Sequence, residues 1–256
     1  MDASGWLELL SEIADRSDAI ALQHFRSHDL RVDRKPDQSL VTEADLAVEE
    51  AARKLVRERR PDLGVFGEET GEAGSRGSTR LIIDPIDSTA NFARGIPVFA
   101  TLLAIEEEHE VVAGMVSAPA LSQRWRASRG GGAWCGERPL HVSRIPTLEE
   151  AQVFHGSLAG GEAVRATRRV PALLERSFRQ RGFGDFWQHV LVAEGSGEIA
   201  IDPIVNPWDI APLQLLIEEA GGRATSILGE RSIYAGSLVS SNGILHDEAL
   251  AVLRDA

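Results

Sequence analysis

Apolar residues recur along this chain in two periods. Trp6, Leu9, Leu10, Ile13, Ile20 and Phe25 fall largely on one side of a helical wheel, which predicts a first helix from about Gly5 to Phe25. A second is expected after Thr42, ending near Arg60 because Pro61 disfavours helical backbone in the residue before it. The polar stretch Asp33 to Leu40 between them reads as a loop. Two apolar bursts follow, Leu63 to Phe66 and Leu81 to Ile83, each running into acidic residues, and both read as strands delivering carboxylates to one edge. Val98 to Ile105 and Val111 to Val116, separated by the charged Glu106 to Glu110, read as a hairpin, and Arg129 to Gly132 as a tight turn. A composition break at Pro139 to Pro146 is the candidate boundary between an N-terminal half, residues 1–143, and a C-terminal half, residues 144–256. The second half alternates again. A strand is expected near Gln152 to Phe154, then helices after Thr167, from Asp185 to Glu194, and from about Ile210 to Ala220, the last stopped by Gly221 and Gly222. This alternation belongs to α/β or α+β chains.

Composition narrows what such a fold does. The 256 residues carry 39 acidic and 27 basic side chains, a formal charge of −12, which excludes a basic nucleic-acid groove as the default. A hydrophobic fraction of 43% is globular, and the longest apolar run, Val98 to Ile105, is far short of the roughly 20 residues that cross a bilayer, so no membrane partner is expected. Asp2, Glu8, Glu12 and Asp15 stand where a targeting peptide would be basic. Cys135 is the only cysteine, which leaves no disulfide framework and no thiolate zinc cluster. The expected class is a soluble cytoplasmic protein. An acidic chain can hold an acidic substrate only with positive charge between them, and divalent metal supplies it.

The chemistry-bearing stretch is Ile83 to Phe92. Asp84 ends an apolar strand, Pro85 forces a turn, and Asp87 follows three residues later, so both carboxylates can curl toward one point. Hard cations such as Mg²⁺ want that clustering of oxygens. The residues after Asp87 can open a helix, whose free N–H groups and positive end suit a phosphate. The plainer alternative is that the two aspartates cap a helix and satisfy a turn. Gly67-Glu68-Glu69 ends a strand with adjacent carboxylates, only one of which can share the pleat face of Asp84. Trp208-Asp209-Ile210-Ala211-Pro212 puts an aspartate at a helix mouth with a proline in the first turn. A solvated loop and an ordinary N-cap are the respective alternatives. Thr42-Glu43-Ala44-Asp45 has capping-box spacing, with capping favoured for Thr42 and a double role open to Asp45. His24 and His28 are four apart but lack an intervening glutamate, the glycines at 130–132 miss dinucleotide spacing, and the five tryptophans are scattered.

Taken together and in order, Gly67-Glu68-Glu69, Asp84-Pro85-Ile86-Asp87-Ser88-Thr89 and Trp208-Asp209-Ile210-Ala211-Pro212 closely resemble the inositol monophosphatase superfamily of Mg²⁺-dependent, Li⁺-sensitive phosphatases. The resemblance implies a layered αβαβα sandwich with the site between the halves, and a homodimer. It implies that Glu68, Asp84 and the carbonyl of Ile86 hold one Mg²⁺, and that Asp84, Asp87 and Asp209 hold a second. Asp45 joins through water or a third, looser metal site. Glu68 and Thr89 would orient the attacking water, Ser88 and Thr89 would offer N–H groups to the phosphate, and Gly184, Asp185 and Asp202 would lie near the organic part of the substrate. Lys35 is a phosphate or loop contact. Serine at position 88 replaces the family's usual glycine, and a helical, unstrained φ is expected there. Softer signals, Phe183-Gly184-Asp185-Phe186-Trp187, Val192-Ala193-Glu194-Gly195, Ser117-Ala118-Pro119-Ala120-Leu121 and Arg124-Trp125, resemble the bacterial histidinol-phosphate phosphatases of this superfamily. Asp185 and Asp202 would suit a cationic amine and imidazole. The alternatives are an inositol-1-phosphatase or other small phosphomonoesterase and, from a different class, a regulatory metal-binding protein without turnover.

Overall fold

The computed structural model describes residues 3–73, 78–158 and 168–254. The two early amphipathic patterns become α1 (Ala3–His24) and α2 (Glu43–Arg59). The polar segment between them is not a plain loop. It contains a hairpin, β1 (Val32–Arg34) against β2 (Leu40–Thr42), closed by the Lys35 N–H on the Ser39 carbonyl at 2.9 Å. Only Thr42 among its paired residues is buried, so a hydrophobic pattern carries no trace of it.

An eight-stranded sheet follows, built from β3 (Gly64–Gly67), β4 (Gly71–Ala73), β5 (Thr79–Asp87), β6 (Ala100–Glu107), β7 (Glu110–Ala118), β8 (Gln123–Ser128), β9 (Gly132–Cys135) and β10 (Arg138–Pro139). Its order is β10-β9-β8-β7-β6-β5-β3-β4, antiparallel except where β3 runs parallel to β5. The continuous apolar run in β6 has a simple cause: both faces are covered, so alternate residues enter different cores. Leu81, Ile83, Leu103 and Ile105 pack with Leu10, Ile13 and Leu55 of α1 and α2. Ile82, Leu102 and Ala104 pack on the other side, with residues of α5 (Asp185–Ala193) and α6 (Pro207–Glu219).

The chain leaves this sheet after Pro139 and enters a five-stranded one at Gln152. That sheet comprises β11 (Gln152–His155), β12 (Arg179–Gly182), β13 (Ile199–Asp202), β14 (Arg223–Thr225) and β15 (Leu238–Ser241), in the order β12-β11-β13-β15-β14. Phe154, Ala200 and Leu238 face α5 and α6, whereas Val153, Ile199, Ile201 and Val239 pack with α4 (Val170–Arg176) and α7 (His246–Arg254). Thr167, after which α4 is expected, itself lies outside the described residues. The layers therefore read helix, sheet, helix, sheet, helix. Among the described residues, no helix is long and apolar enough to cross a membrane.

The middle layer starts earlier than apolar periodicity suggests. Asn206 caps α6 and Pro207 occupies its first position, so Pro212 is the sixth helical residue and not part of the first turn. It lacks the N–H that would bond the Trp208 carbonyl one turn back. The helix is held against the sheet regardless, because β7 presents Gly114 to it: a Cβ there would lie 3.1 Å from Pro212 Cα. Gly114→Val would force the two apart and is expected to lower unfolding stability by about 1–3 kcal/mol, read from the urea midpoint at unchanged slope.

Candidate active site

β5 delivers the first two carboxylates through a bulge. Asp84 opposes Leu102 of β6 and Asp87 opposes Ala100, so three steps on one strand match two on the other. Pro85 sits in the bulge, and its carbonyl accepts the Thr101 hydroxyl at 2.8 Å. By pleat parity Asp84 continues the face of Ile82, toward α6. β3 runs parallel alongside, pairing Gly67 with Ile83, and the Glu68 N–H donates to the Ile83 carbonyl at 3.1 Å. Glu68 thus arrives next to Asp84 on the face that Phe66 shares. The third element is α6. Asp209 occupies its third position, where one oxygen accepts the Asn206 N–H at 2.7 Å, completing a capping box. Asp209 is therefore not the N-cap that the sequence left as its alternative: Asn206 holds that position, and Asp209, three residues on, both accepts its N–H and joins the cluster.

Oxygens of Asp84, Asp87 and Asp209 lie within 4.8 Å of one another, and the Glu68 carboxyl is in contact with Asp84. Asp84 Oδ1 is buried with no hydrogen-bond partner. A buried carboxylate oxygen without a donor is costly. A divalent cation would relieve that cost, and an all-oxygen donor set is what Mg²⁺ or Ca²⁺ takes. The residues present therefore fit a hard cation.

The charges tell the same story. Burial pushes Asp84 well above the usual carboxylate range, with Glu68, Asp87 and Asp209 adding repulsion. Burial likewise raises Asp87, next to Asp185 and Asp209. Asp209 is pushed up to about 7 by burial and then by Glu68, against the bond from Asn206. Glu69 is raised by burial to about 7. Lys35 lies 2.7 Å from Glu68 Oε1 and 2.8 Å from Glu69 Oε1. Its place is therefore between two carboxylates, where burial opposes its charge but these bonds outweigh it and raise its pKa.

Behind the cluster stands Thr89, whose hydroxyl lies 3.0 Å from the Ile86 carbonyl and 3.3 Å from Asp45 Oδ1. Asp45 Oδ2 accepts the Thr42 N–H at 2.8 Å and the Thr42 hydroxyl at 2.5 Å, so Asp45 serves the capping box of α2 and Thr89 together. It is fully buried, and that burial raises it to about 6 in spite of the Thr42 bonds.

Ser88 departs from the helical φ expected for it. Its φ of 68° and ψ of 44° are left-handed, because the chain must reverse between the bulge and α3 (Thr89–Ala93), which begins one residue later. A serine there costs about 1 kcal/mol relative to glycine. Its hydroxyl is engaged in return, donating to Asp185 and accepting from Asn91 Nδ2 at 3.1 Å. α3 has only five residues, so its free first-turn N–H groups, and not a long summed dipole, are what it can offer an anion.

The far wall comes from the second sheet and α5. Gly184 (φ 84°) and Asp185 (φ 55°) turn the chain so that the Phe186 N–H donates to Asp87 Oδ2 at 2.8 Å. Asp185 stands at the mouth of the cleft, lifted to about 6 by desolvation and by repulsion from Asp202, against its Ser88 bond. Asp202 accepts from Gln188 Nε2 at 2.6 Å and meets His189 Nε2 at 3.1 Å, while His189 Nδ1 reaches the Ser240 hydroxyl at 2.8 Å. Glu68, Asp84, Ile86, Asp87, Ser88, Thr89, Asp185, Asp202 and Asp209 all line one cleft. Gly184 lines an adjoining cavity of about 220 Å³ that shares Asp185 and Asp202. Asp45 lies behind Thr89 and not on the wall. The sequence reading missed His189 and the Phe186 N–H. The spacing of four between Asp185 and His189 on an expected helix is the one signal that points to the first, and a backbone donor leaves none.

Residues 2–256 match the inositol monophosphatase family. The chain is 44% identical over 252 residues to a histidinol-phosphatase of Mycobacterium tuberculosis, covering 96% of this chain and 97% of that one. It is 41% identical over 256 residues to a histidinol-phosphatase of Streptomyces coelicolor, with 96% of each covered. Among solved structures, the extragenic suppressor protein suhB of Bartonella henselae superposes with a TM-score of 0.92 at 25% identity, over 98% of this chain and 99% of that one.

Raised carboxylate pKa values make the metal-free protein pH-sensitive in a defined direction. Asp209 titrates near 7 when folded and near the ordinary value of 3.8 when unfolded, so the folded state holds the extra proton between those limits. Stability of the EDTA-stripped protein should fall by several °C in Tm as pH rises from 5 to 8, and Mg²⁺ at pH 8 should restore it. Asp84→Asn should flatten the pH dependence and blunt the Mg²⁺ response in the same thermal scans.

Proposed function

The chain belongs to the inositol monophosphatase family, and from that membership we propose that it hydrolyses L-histidinol phosphate to L-histidinol and inorganic phosphate with two or three Mg²⁺ per site. The observation that carries the choice of substrate is the far wall. Asp185 and Asp202 face the cleft, and none of the described side chains lining it is lysine or arginine. A substrate with an ammonium group and a titratable imidazole suits that wall, whereas a neutral polyol gains nothing from its charge. The names of the two relatives above support the same reading.

We read Glu68, Asp84 and the Ile86 carbonyl as ligands of one ion, Asp84, Asp87 and Asp209 as ligands of a second, and Asp45 as reaching a third through water. When bound, Mg²⁺ would supply the charge that stabilises the attacking and leaving oxygens of an in-line displacement and lowers the pKa of water. Thr89 has one hydroxyl proton, directed to Asp45 or to the Ile86 carbonyl, which leaves its lone pairs free to accept from the attacking water. Glu68 is the base that takes the water's proton, and Lys35 holds that carboxylate in place. Ser88 and Thr89 offer backbone N–H groups to the phosphate. Inositol 1-phosphate is the runner-up substrate, and it would use the same metal half without needing the acidic wall. A regulatory protein without turnover would have no use for the Glu68–Thr89 water site.

Asp87→Asn keeps the side chain's size and removes a ligand charge. Turnover should fall more than about 100-fold with the circular dichroism spectrum unchanged, and EDTA should do the same reversibly to the wild type. Near-normal hydrolysis by that variant rules the metal reading out. Asp185→Ala should raise KM for histidinol phosphate at least about tenfold and leave that for inositol 1-phosphate within about threefold. Equal losses on both remove the case for histidinol. The reading as a cytoplasmic homodimer rests on the family likeness, and light scattering at twice the monomer mass is the check on assembly.

A further inference from the structure

α2 directs two acidic side chains to the same side one turn apart. Asp45 meets Thr89. The other, Glu49, is 1% exposed, lines no part of the cleft, and reaches the turn joining β3 to β4. Its Oε2 accepts the Glu69 N–H at 2.8 Å, and its Oε1 accepts the Thr70 N–H at 3.1 Å together with the Thr70 hydroxyl. Two successive N–H groups aimed at one carboxylate form a small anion cradle, filled here by the protein's own side chain. Arg53, one turn further along α2, balances the charge, with Nε 2.9 Å and Nη2 2.8 Å from Oε1. The same guanidinium continues to the Gly71 carbonyl at 2.6 Å and the Val65 carbonyl at 3.5 Å, so one ion pair ties helix, strand and turn. Gly67 completes the arrangement from the opposite side, since a Cβ on it would lie 2.5 Å from the Glu49 carboxyl.

We propose that Glu49 is the positioning residue for Glu68 and thereby sets the affinity of the site for its metal. Glu68 lies between Gly67, which approaches the Glu49 carboxyl only because it lacks a side chain, and Glu69, whose N–H that carboxyl holds. With its own N–H on Ile83, Glu68 has both flanking peptides fixed and its side chain sent toward Asp84. Mg²⁺ demands near-ideal octahedral geometry, so a loosened ligand backbone is felt directly as weaker binding. Charge at position 49 matters beyond shape. A glutamine there would accept through one oxygen and turn an NH₂ group toward N–H donors or toward Arg53. The inference rests on the reading of Glu68 as a metal ligand.

Calorimetric titration of Mg²⁺ alone into the full chain tests it, using wild type, Glu49→Gln, Thr70→Val and Glu68→Gln. Glu68→Gln and Glu49→Gln should each weaken Mg²⁺ binding about tenfold or more, and Thr70→Val about threefold, while in Glu49→Gln and Thr70→Val alone KM for histidinol phosphate at saturating Mg²⁺ stays within about twofold. A residue that only stabilises the fold would lower Tm and leave the Mg²⁺ Kd untouched. A wild-type Kd in folded Glu49→Gln overturns the proposal. Should Glu49→Gln not fold, Thr70→Val decides, and an unaltered Kd there overturns it. A wild-type Kd in Glu68→Gln instead overturns the ligand assignment beneath it, which separates the two failures.

Discussion

Carboxylates brought within touching distance inside a protein repel each other, and the rest of this structure is arranged to hold them there. Asp84, Asp87 and Asp209 come from two elements far apart in the chain, with Glu68 and Asp45 from two more. Desolvation and mutual repulsion drive Asp45, Asp84, Asp87 and Asp209 toward their protonated forms. The cluster therefore cannot be a by-product of good packing. Its existence requires that each side chain be aimed by something stiffer than itself, and that a cation complete the site.

The aiming device is the same in three cases. Asp45, Asp87 and Asp209 each give one carboxylate oxygen to a backbone N–H, from Thr42, Phe186 and Asn206 respectively. In Asp45 and Asp209 that bond is also half of a capping box, so the act of starting a helix orients the residue. One oxygen is thereby fixed; the other is left over for the cleft in Asp87 and Asp209, and for the Thr89 hydroxyl in Asp45. Asp84 is the exception, placed by the pleat of β5 with one oxygen bonded to nothing, and it sits at the centre. Glu68 gets its placement from the turn that carries it. Helix caps and strand ends cost the fold little to provide. They convert ordinary local structure into ligand geometry.

This explains which parts of the site are legible in the sequence. Capping spacing at Thr42-Asp45 is a local rule, and so is the strand that runs into Asp84-Pro85-Ile86-Asp87, and both appear in the structure where the residues place them. Pleat alternation says only that one of Glu68 and Glu69 can share the face of Asp84, and it is the register of β3 on β5 that makes it Glu68. Ser88 defeats the same kind of reasoning because its φ is imposed by a reversal between two elements, one of which starts a residue later than its pattern suggests. Pro212 misleads for a related reason, since Asn206 and Pro207 set the start of α6 and apolar periodicity does not. Buried polar partners such as Glu49 and His189 are invisible beforehand, because a charged residue on an amphipathic helix reads as surface. The layering came from family likeness. Periodicity shows that both faces of β6 are covered, but not by which helices.

An acidic protein with an acidic site faces a problem of order. A phosphate dianion approaching four carboxylates is repelled, and the only neighbouring ammonium among the described residues, Lys35, is already shared between Glu68 and Glu69. Metal must be in place before the phosphate can settle, so cofactor and phosphate bind on the same side of the electrostatic balance. The opposite wall works the other way. It carries two further carboxylates, Asp185 from α5 and Asp202 from the second sheet, and on the reading proposed above these would draw a cationic organic group. A substrate that is anionic at one end and cationic at the other matches this division of charge across the cleft, and its orientation follows from the field before any hydrogen bond forms. The link between the two halves is the Ser88 hydroxyl on Asp185 and the Phe186 N–H on Asp87, so the wall formed by the second sheet and α5 is built directly against the carboxylate cluster.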